Sequence, residues 1–140
     1  MRIVVDTNVF VGACIGVGAS TLVIRYCLQG RALPLMGNAL YSEYEDVLAR
    51  TTLFNKSRLN AVERDELFDI FAGTCEWVRV YFQWRPNLRD EADNHLIELA
   101  VAGGASHVVT RDLRDLVSGE LAFPNVKILT PEQFLKEIQP

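Results

Sequence analysis

Short apolar runs alternate along the chain with longer segments in which apolar residues recur at helical spacing. Ile3 to Val5 is a β-branched run that ends at Asp6, and it predicts a buried strand. Asn60-Ala-Val-Glu63 has the spacing of a capping box, and residues 130–133, Thr-Pro-Glu-Gln, supply an N-cap, a proline at the first helical position and a glutamine two positions later. These signals predict where two helices begin.

The remaining elements follow from the same pattern. Strands are predicted at residues 33–37, 77–80, 107–110 and 126–129, the first of them interrupted by Pro34. Helices are predicted at about 20–29, 38–50, 60–73 and 90–102 and from 131 onwards, with Gly30 stopping the first, Asn38 capping the second, and the glycines at 12, 16 and 18 forming a loop. The alternation predicts an α/β fold: a three-layer α/β/α sandwich with a central parallel sheet of four to five strands.

Composition narrows the possible functions. At 140 residues the chain has the size of one domain, spanning 1–140. A net charge of −4 argues against broad nucleic-acid binding through bulk charge, but it suits a site that concentrates carboxylates. The three cysteines are widely spaced and lack a CxxC pair, so they suggest neither a disulfide framework nor a zinc site. Free thiols, with no visible signal peptide and no apolar stretch of about 20 residues, predict a cytoplasmic protein without a membrane span.

Two aspartates follow predicted strands. Asp6 ends the first strand, and Asp112 lies two residues beyond the strand that ends at Thr110. In open α/β sheets, ligands bind beyond the carboxyl ends of the strands, so both carboxylates enter one crevice if these strands are neighbours. The alternatives are ordinary: Asp6 as a turn or cap residue, and Asp112 as the cap of a short helix.

Two helices carry further acids. Asp93 shares its helix face with the apolar residues at i+3, i+4 and i+7, where a carboxylate needs a partner or a metal; N-terminal capping is the alternative. The helix at 38–50 contains Glu43, Glu45 and Asp46. Periodicity does not choose between Glu43 and Glu45, since each has apolar neighbours, and most charges on such a helix are solvated.

Four motifs in this order resemble those of PIN-domain nucleases. They are Val5-Asp6-Thr7-Asn8-Val9, the segment Asn38-Ala-Leu-Tyr-Ser-Glu43, the run Arg89-Asp90-Glu91-Ala92-Asp93-Asn94, and Val108-Val109-Thr110-Arg111-Asp112. The likeness extends over nearly the whole chain and is strongest to the VapC-like toxins of toxin–antitoxin pairs. It favours Glu43 over its neighbours and implies strand order 3-2-1-4-5. Glu91 and Arg111 depart from the family pattern, which often has proline and glycine there, but neither departure removes a carboxylate.

The resemblance implies a metal-dependent endoribonuclease whose site is built from Asp6, Glu43, Asp93 and Asp112. Two carboxylates about 4 Å apart repel by roughly 4 kcal/mol at an effective dielectric of 20, so such a cluster needs a cation or bound protons. Oxygen ligands suit Mg²⁺ or Mn²⁺, as one ion or two. We expect the aspartates mainly to bind metal and Glu43 to bind metal or position water. Asn8 and Thr110 are candidates to orient these ligands, or else a turn residue and a strand end.

An acidic site must still attract RNA. Candidate phosphate contacts, each of which is otherwise an ordinary surface charge, are Arg50, Lys56, Arg58, Arg64, Arg111 and Arg114. The resemblance further implies RNA hydrolysis leaving a 5′-phosphate and a 3′-hydroxyl, a small antitoxin partner and a homodimer.

Three other functions compete with the toxin nuclease. The first is a non-catalytic PIN-fold module that binds RNA or protein, and the second is an RNA-processing PIN nuclease without a toxin role. The third, a phospho-accepting receiver domain, needs an acidic pair after the first strand and a lysine at the end of the last strand. Here Asp6 is followed by Thr7, and Lys127 lies inside its strand, which argues against it.

Overall fold

The computed structural model describes residues 1–80, 94–112 and 125–138. Five parallel strands form one sheet in the order β3-β2-β1-β4-β5. This result confirms the predicted α/β fold, its parallel sheet and its strand order. The strands are β1 (Arg2–Val5), β2 (Leu33–Met36), β3 (Glu76–Trp77), β4 (His107–Val109) and β5 (Lys127–Leu129).

The described helices lie between these strands or after the last of them. They are α1 (Thr7–Ile15), α2 (Gly18–Leu28), α3 (Asn38–Leu48), α4 (Ala61–Thr74), α5 (Asn94–Gly103) and α6 (Pro131–Ile138), with a 3₁₀ turn at Thr51–Phe54. In β1, the successive residues Ile3, Val4 and Val5 are at most 1% exposed although neighbouring side chains point to opposite faces. Both faces of the sheet are therefore covered, as expected of an all-parallel sheet.

The loop predicted from the glycines at 12, 16 and 18 is wrong. Gly12 lies inside α1, Gly16 ends that helix with φ of 112°, and α2 begins at Gly18. A Cβ on Gly12 would lie 2.6 Å from Ser20 Oγ, so this glycine serves the close approach of α1 to α2. No single described helix is long and apolar enough to cross a bilayer; α1 and α2 pass that test only together, as a pair bent by 109°.

Pro34 is compatible with an interior strand because of the side it faces. The carbonyl of Met36 accepts from Val78 N–H on the β3 side, and Pro34, two residues earlier, faces the same side. There β3 pairs only with Leu35 and Met36, so the missing N–H of Pro34 costs no ladder hydrogen bond. The bounds predicted for the third strand, 77–80, are wrong, since β3 covers Glu76–Trp77.

The helix signals succeed where the cap is local. Asn60 and Glu63 form the predicted capping box, and Thr130 and Gln133 exchange the same pair of hydrogen bonds at the start of α6. The cap predicted at Asn38 is wrong: Gly37 is the N-cap of α3, and Asn38 is the first helical residue. The predicted start of the fifth helix at residue 90 lies outside the described residues.

Gly12→Ala tests the contact between α1 and α2. The added methyl forces Ser20 to move, and we expect a loss of about 1–3 kcal/mol in the free energy of unfolding, measured by urea denaturation. Gly73→Ala is the matched control, because Gly73 lies in α4 and, apart from its own helix, none of the described residues comes within 4 Å of its added Cβ. That substitution should stabilise by about 0.5–1 kcal/mol. Equal effects at the two glycines would contradict the close approach.

Candidate active site

Asp6 lies where β1 ends and α1 begins, and the residue is 6% exposed. It is the N-cap of α1: Oδ1 accepts from the backbone N–H of Thr7 at 2.7 Å. Oδ2 accepts from Thr110 Oγ1 at 2.7 Å and from Asn8 Nδ2 at 3.2 Å. Both oxygens of the carboxylate are therefore held by donors, as a buried charge requires.

Thr110 joins the ends of β1 and β4. These strands pair in register, with Val5 opposite Val109, which brings the residue after β4 beside Asp6. The Thr110 hydroxyl donates to Asp6, and it accepts from Asp112 N–H at 3.0 Å and from Asn8 Nδ2 at 3.4 Å. One proton and two lone pairs are thus all used.

Glu43 reaches the same end of the sheet from α3. The next residue, Tyr44, is buried, and its hydroxyl donates to the carbonyl of Val5 at 2.8 Å, which ties α3 to the end of β1. The Thr7 hydroxyl lies 3.5 Å from Asp6 Oδ1 and 3.4 Å from Glu43 Oε1, so it stands between the two acids and can donate its proton to either. Glu45 on the same helix is exposed.

His95 belongs to this group, although the sequence analysis did not single it out. It lies in the first turn of α5, and its Nε2 is 2.5 Å from Glu43 Oε2. The available signal was its position beside the apolar face that begins at Leu96. That signal says where the ring lies on the helix but not which side chain it meets.

The environment shifts the two carboxylates in opposite directions. Burial raises the pKa of Asp6, and the negative charge of Glu43 adds to this, while the hydrogen bond from Thr110 opposes it. The hydrogen bond from His95 lowers the pKa of Glu43 against the effect of burial, and the charge of Arg50 acts in the same direction as His95. The site therefore contains one carboxylate that is costly to ionise and one that ionises readily.

The other two predicted acids stand differently. Asp112 is exposed and follows Thr110, to which its backbone N–H is bonded. Asp93 lies outside the described residues. Within 1–80, 94–112 and 125–138, no three His, Cys, Asp or Glu side chains are gathered as a metal-binding group. The structure thus brings together Asp6 and Glu43. Asp112 lies two residues after Thr110, whose hydroxyl is bonded to Asp6.

The chemistry of these donors suits a hard divalent cation. Two carboxylates flank the hydroxyl of Thr7, and oxygen ligands are those that Mg²⁺ and Mn²⁺ prefer. The cysteines offer no competing site: burial raises the pKa of the Cys14 thiol to about 11 and those of Cys27 and Cys75 to about 12. Those thiols stay protonated at neutral pH and are poor metal ligands.

The predicted phosphate contacts are spread around the fold. Arg50 is exposed, and its positive charge lowers the pKa of Glu43. The guanidinium of Arg111 is bonded to Ser20 and to Glu132.

Three other basic residues lie on or after the connector between α3 and α4. Lys56 and Arg58 are exposed, and Arg58 neighbours Gly16, about 15 Å from Asp6 by the rise of α1. Arg64 stacks on Phe54 at 4.1 Å. The sixth candidate, Arg114, lies outside the described residues.

Comparison with known families identifies this arrangement. The family model described as "PIN domain" matches residues 2–114. The chain belongs to the PIN-domain family. The matched segment starts in β1 and runs two residues past Asp112, so this PIN domain contains all four acids predicted from the sequence.

A solved structure agrees with this PIN fold. The chain is similar to a chain in the crystal structure of VapBC2 from Rickettsia felis. In that structure, VapBC2 is bound to a DNA fragment from its promoter. The TM-score is 0.56 at 15% identity, and the alignment covers 91% of this chain and 97% of that one. No curated protein matches the chain.

Thr110→Val tests the hydroxyl that holds Asp6. Valine keeps the shape of threonine but removes the donor to Asp6 and the acceptor for Asp112 N–H, so we expect a loss of about 1–3 kcal/mol in the free energy of unfolding. Thr110→Ser keeps the hydroxyl and gives up only a buried methyl, at about 0.8 kcal/mol. Urea denaturation of both variants measures the difference. A valine variant as stable as the serine variant would show that these bonds contribute little.

Asp6→Asn should change how stability depends on pH. The raised pKa of Asp6 means that its contribution to stability is fully present below its unfolded value near 3.8 and is lost as pH rises through the folded value. Without metal, the free energy of unfolding of the asparagine variant should therefore rise relative to that of the unaltered protein as pH increases from about 4 through the folded pKa of Asp6. Glu43 titrates in both proteins, and because the two carboxylates repel, the comparison reports Asp6 together with its effect on Glu43. A constant difference in unfolding free energy across this range would contradict the raised pKa.

Proposed function

We propose that this PIN domain is a metal-dependent endoribonuclease. The observation that carries the proposal is the pair Asp6 and Glu43. These two carboxylates come from different elements, meet at the carboxyl edge of a parallel sheet and are linked by the hydroxyl of Thr7. Ligands bind at this edge in open α/β folds, and a fold gains no stability from placing two acids there.

Different residues of the site would bind the metal ion and orient its ligands. Asp6, Asp93 and Asp112 would bind Mg²⁺ or Mn²⁺, and Glu43 would bind it or orient the attacking water. Such an ion, when bound, lowers the pKa of a coordinated water and stabilises charge on the leaving oxygen. Thr110 and Asn8 hold Asp6 in one orientation by donating to Oδ2, and Thr7 N–H fixes Oδ1. Holding the ligands in place before the ion arrives reduces the ordering that binding requires.

RNA is the proposed substrate, cleaved to a 5′-phosphate and a 3′-hydroxyl. Arg50 is the best-placed phosphate contact among the described residues, because it is exposed and its positive charge lowers the pKa of Glu43. With a net charge of −4, binding must depend on such local contacts instead of the field of the whole molecule.

The toxin role is a further step of the same proposal. The similarity in fold to a VapBC2 chain supports it, together with the order of the acidic motifs. We propose a small antitoxin protein that occupies or distorts this site, a homodimer, and a cytoplasmic location. These features remain predictions, and a nuclease without a toxin role would share the same chemistry.

Glu43→Gln and Glu45→Gln form a matched pair on one helix. Total RNA is incubated with the purified protein, with and without Mn²⁺ or Mg²⁺, and fragments are counted over time. We expect Glu43→Gln, like Asp6→Asn, to lower metal-dependent cleavage by at least about 100-fold, the lower end of a general acid–base contribution. Glu45→Gln should cleave as well as the unaltered protein because Glu45 is exposed on α3.

The outcomes separate the candidate functions. Cleavage that survives both Asp6→Asn and Glu43→Gln rules out the assigned site. RNA binding without metal-dependent turnover in the unaltered protein indicates the non-catalytic module instead.

A further inference from the structure

His95 contacts the one acid of the site that is carried by a long, partly exposed side chain. Its Nε2 lies 2.5 Å from Glu43 Oε2, and 35% of the Glu43 side chain is exposed. Asp6 is fixed by three neighbouring residues, whereas the hydrogen bonds described for Glu43 are those with His95 and Thr7. We propose that His95 is a positioning residue that holds the Glu43 carboxylate ready for the divalent cation, a role that rests on the proposed nuclease function.

The backbone of His95 is held by the helix that carries it. Four residues that follow it in α5 are at most 2% exposed: Leu96, Ile97, Leu99 and Ala100. This buried face packs against β1, β2 and β4, and α5 also contacts α3. The imidazole therefore starts from a rigid support and crosses to a different helix, which is the geometry of a brace between α5 and α3.

The direction of the hydrogen bond follows from the partners. An ionised carboxylate only accepts, so His95 Nε2 must carry the proton and donate it. The other ring nitrogen, Nδ1, is buried and has no hydrogen-bond partner among the residues that the structure describes. The contact with Glu43 therefore fixes Nε2 as the donating nitrogen, and Nδ1 takes no part in it.

This bond leaves a specific part of Glu43 available. Oε2 is engaged by His95, while Oε1 lies on the side of Thr7, whose hydroxyl also approaches Asp6. The rotamer that His95 stabilises is thus the one that keeps Oε1 near the second acid. Residues that orient a ligand in this way commonly change metal affinity or activity by about 10- to 100-fold when they are replaced.

A second histidine–glutamate pair provides the control. His107 Nε2 lies 3.3 Å from Glu137 Oε1, and His107 is buried in β4. That pair joins β4 to α6, and His107 is the first residue of its strand, at the sheet edge opposite Asp6. Its loss should affect stability without affecting the site.

The experiment compares His95→Gln, His95→Asn and His107→Gln with the unaltered protein. A glutamine amide reaches about as far as Nε2 and can donate to Glu43, whereas an asparagine amide is one methylene shorter. Mn²⁺ binding is measured by calorimetry, RNA cleavage is measured at saturating Mn²⁺, and the Tm of each variant is recorded without metal. We expect His95→Asn to weaken Mn²⁺ binding by about 10-fold or more and His95→Gln by clearly less. His107→Gln should bind Mn²⁺ like the unaltered protein, whatever its Tm.

The results distinguish the positioning role of His95 from the proposed nuclease function. If the unaltered protein binds Mn²⁺ and cleaves RNA while His95→Asn binds Mn²⁺ equally well, the positioning role is wrong and the nuclease stands. Equal weakening in the asparagine and glutamine variants also overturns it, because the restored donor should matter. If the unaltered protein neither binds Mn²⁺ nor cleaves RNA, the proposed function fails, and the role of His95 fails with it.

Discussion

The burial of the Asp6 carboxylate is the constraint on which the rest of this structure depends. A carboxylate in a residue that is 6% exposed must be met by donors, and these come from two elements: Thr7 and Asn8 in α1, and Thr110 after β4. Such an arrangement requires β1 and β4 to be neighbours and parallel, so that their carboxyl ends coincide. The strand order 3-2-1-4-5 satisfies that requirement directly.

The second acid arrives by a different physical route. Glu43 is not held by the sheet but is carried on α3, whose position is set by aromatic packing and by the bond from Tyr44 to the Val5 carbonyl. One residue, Tyr44, thus places its neighbour beside Asp6 while its own ring lies in the core. Core packing and assembly of the site are therefore coupled at adjacent positions of one helix. A change in the core beneath Tyr44 should shift the position of Glu43.

Much of the fold could be predicted because the deciding interactions are local. The capping boxes at Asn60 and Thr130 involve residues three apart, and alternating strands and helices predict a parallel sheet. The interactions that escaped prediction join distant residues. Gly12 allows α1 to approach Ser20 of α2 closely, and His95 contacts Glu43, which lies 52 positions earlier in the chain. Periodicity could not separate Glu43 from Glu45, since each has apolar neighbours; the family resemblance chose Glu43, and the Tyr44 bond explains its place.

The two outer strands of the sheet have a consequence for self-association. The described β3 contains only two residues, and β5 contains three and carries the exposed Lys127. A long, flat, apolar edge invites a strand from another copy, whereas short edges and lysine discourage it. The described strands thus offer little edge for joining two sheets, and the helix surfaces of the described residues are better suited to contacts between copies, because side chains and not backbone ladders then determine which partner fits.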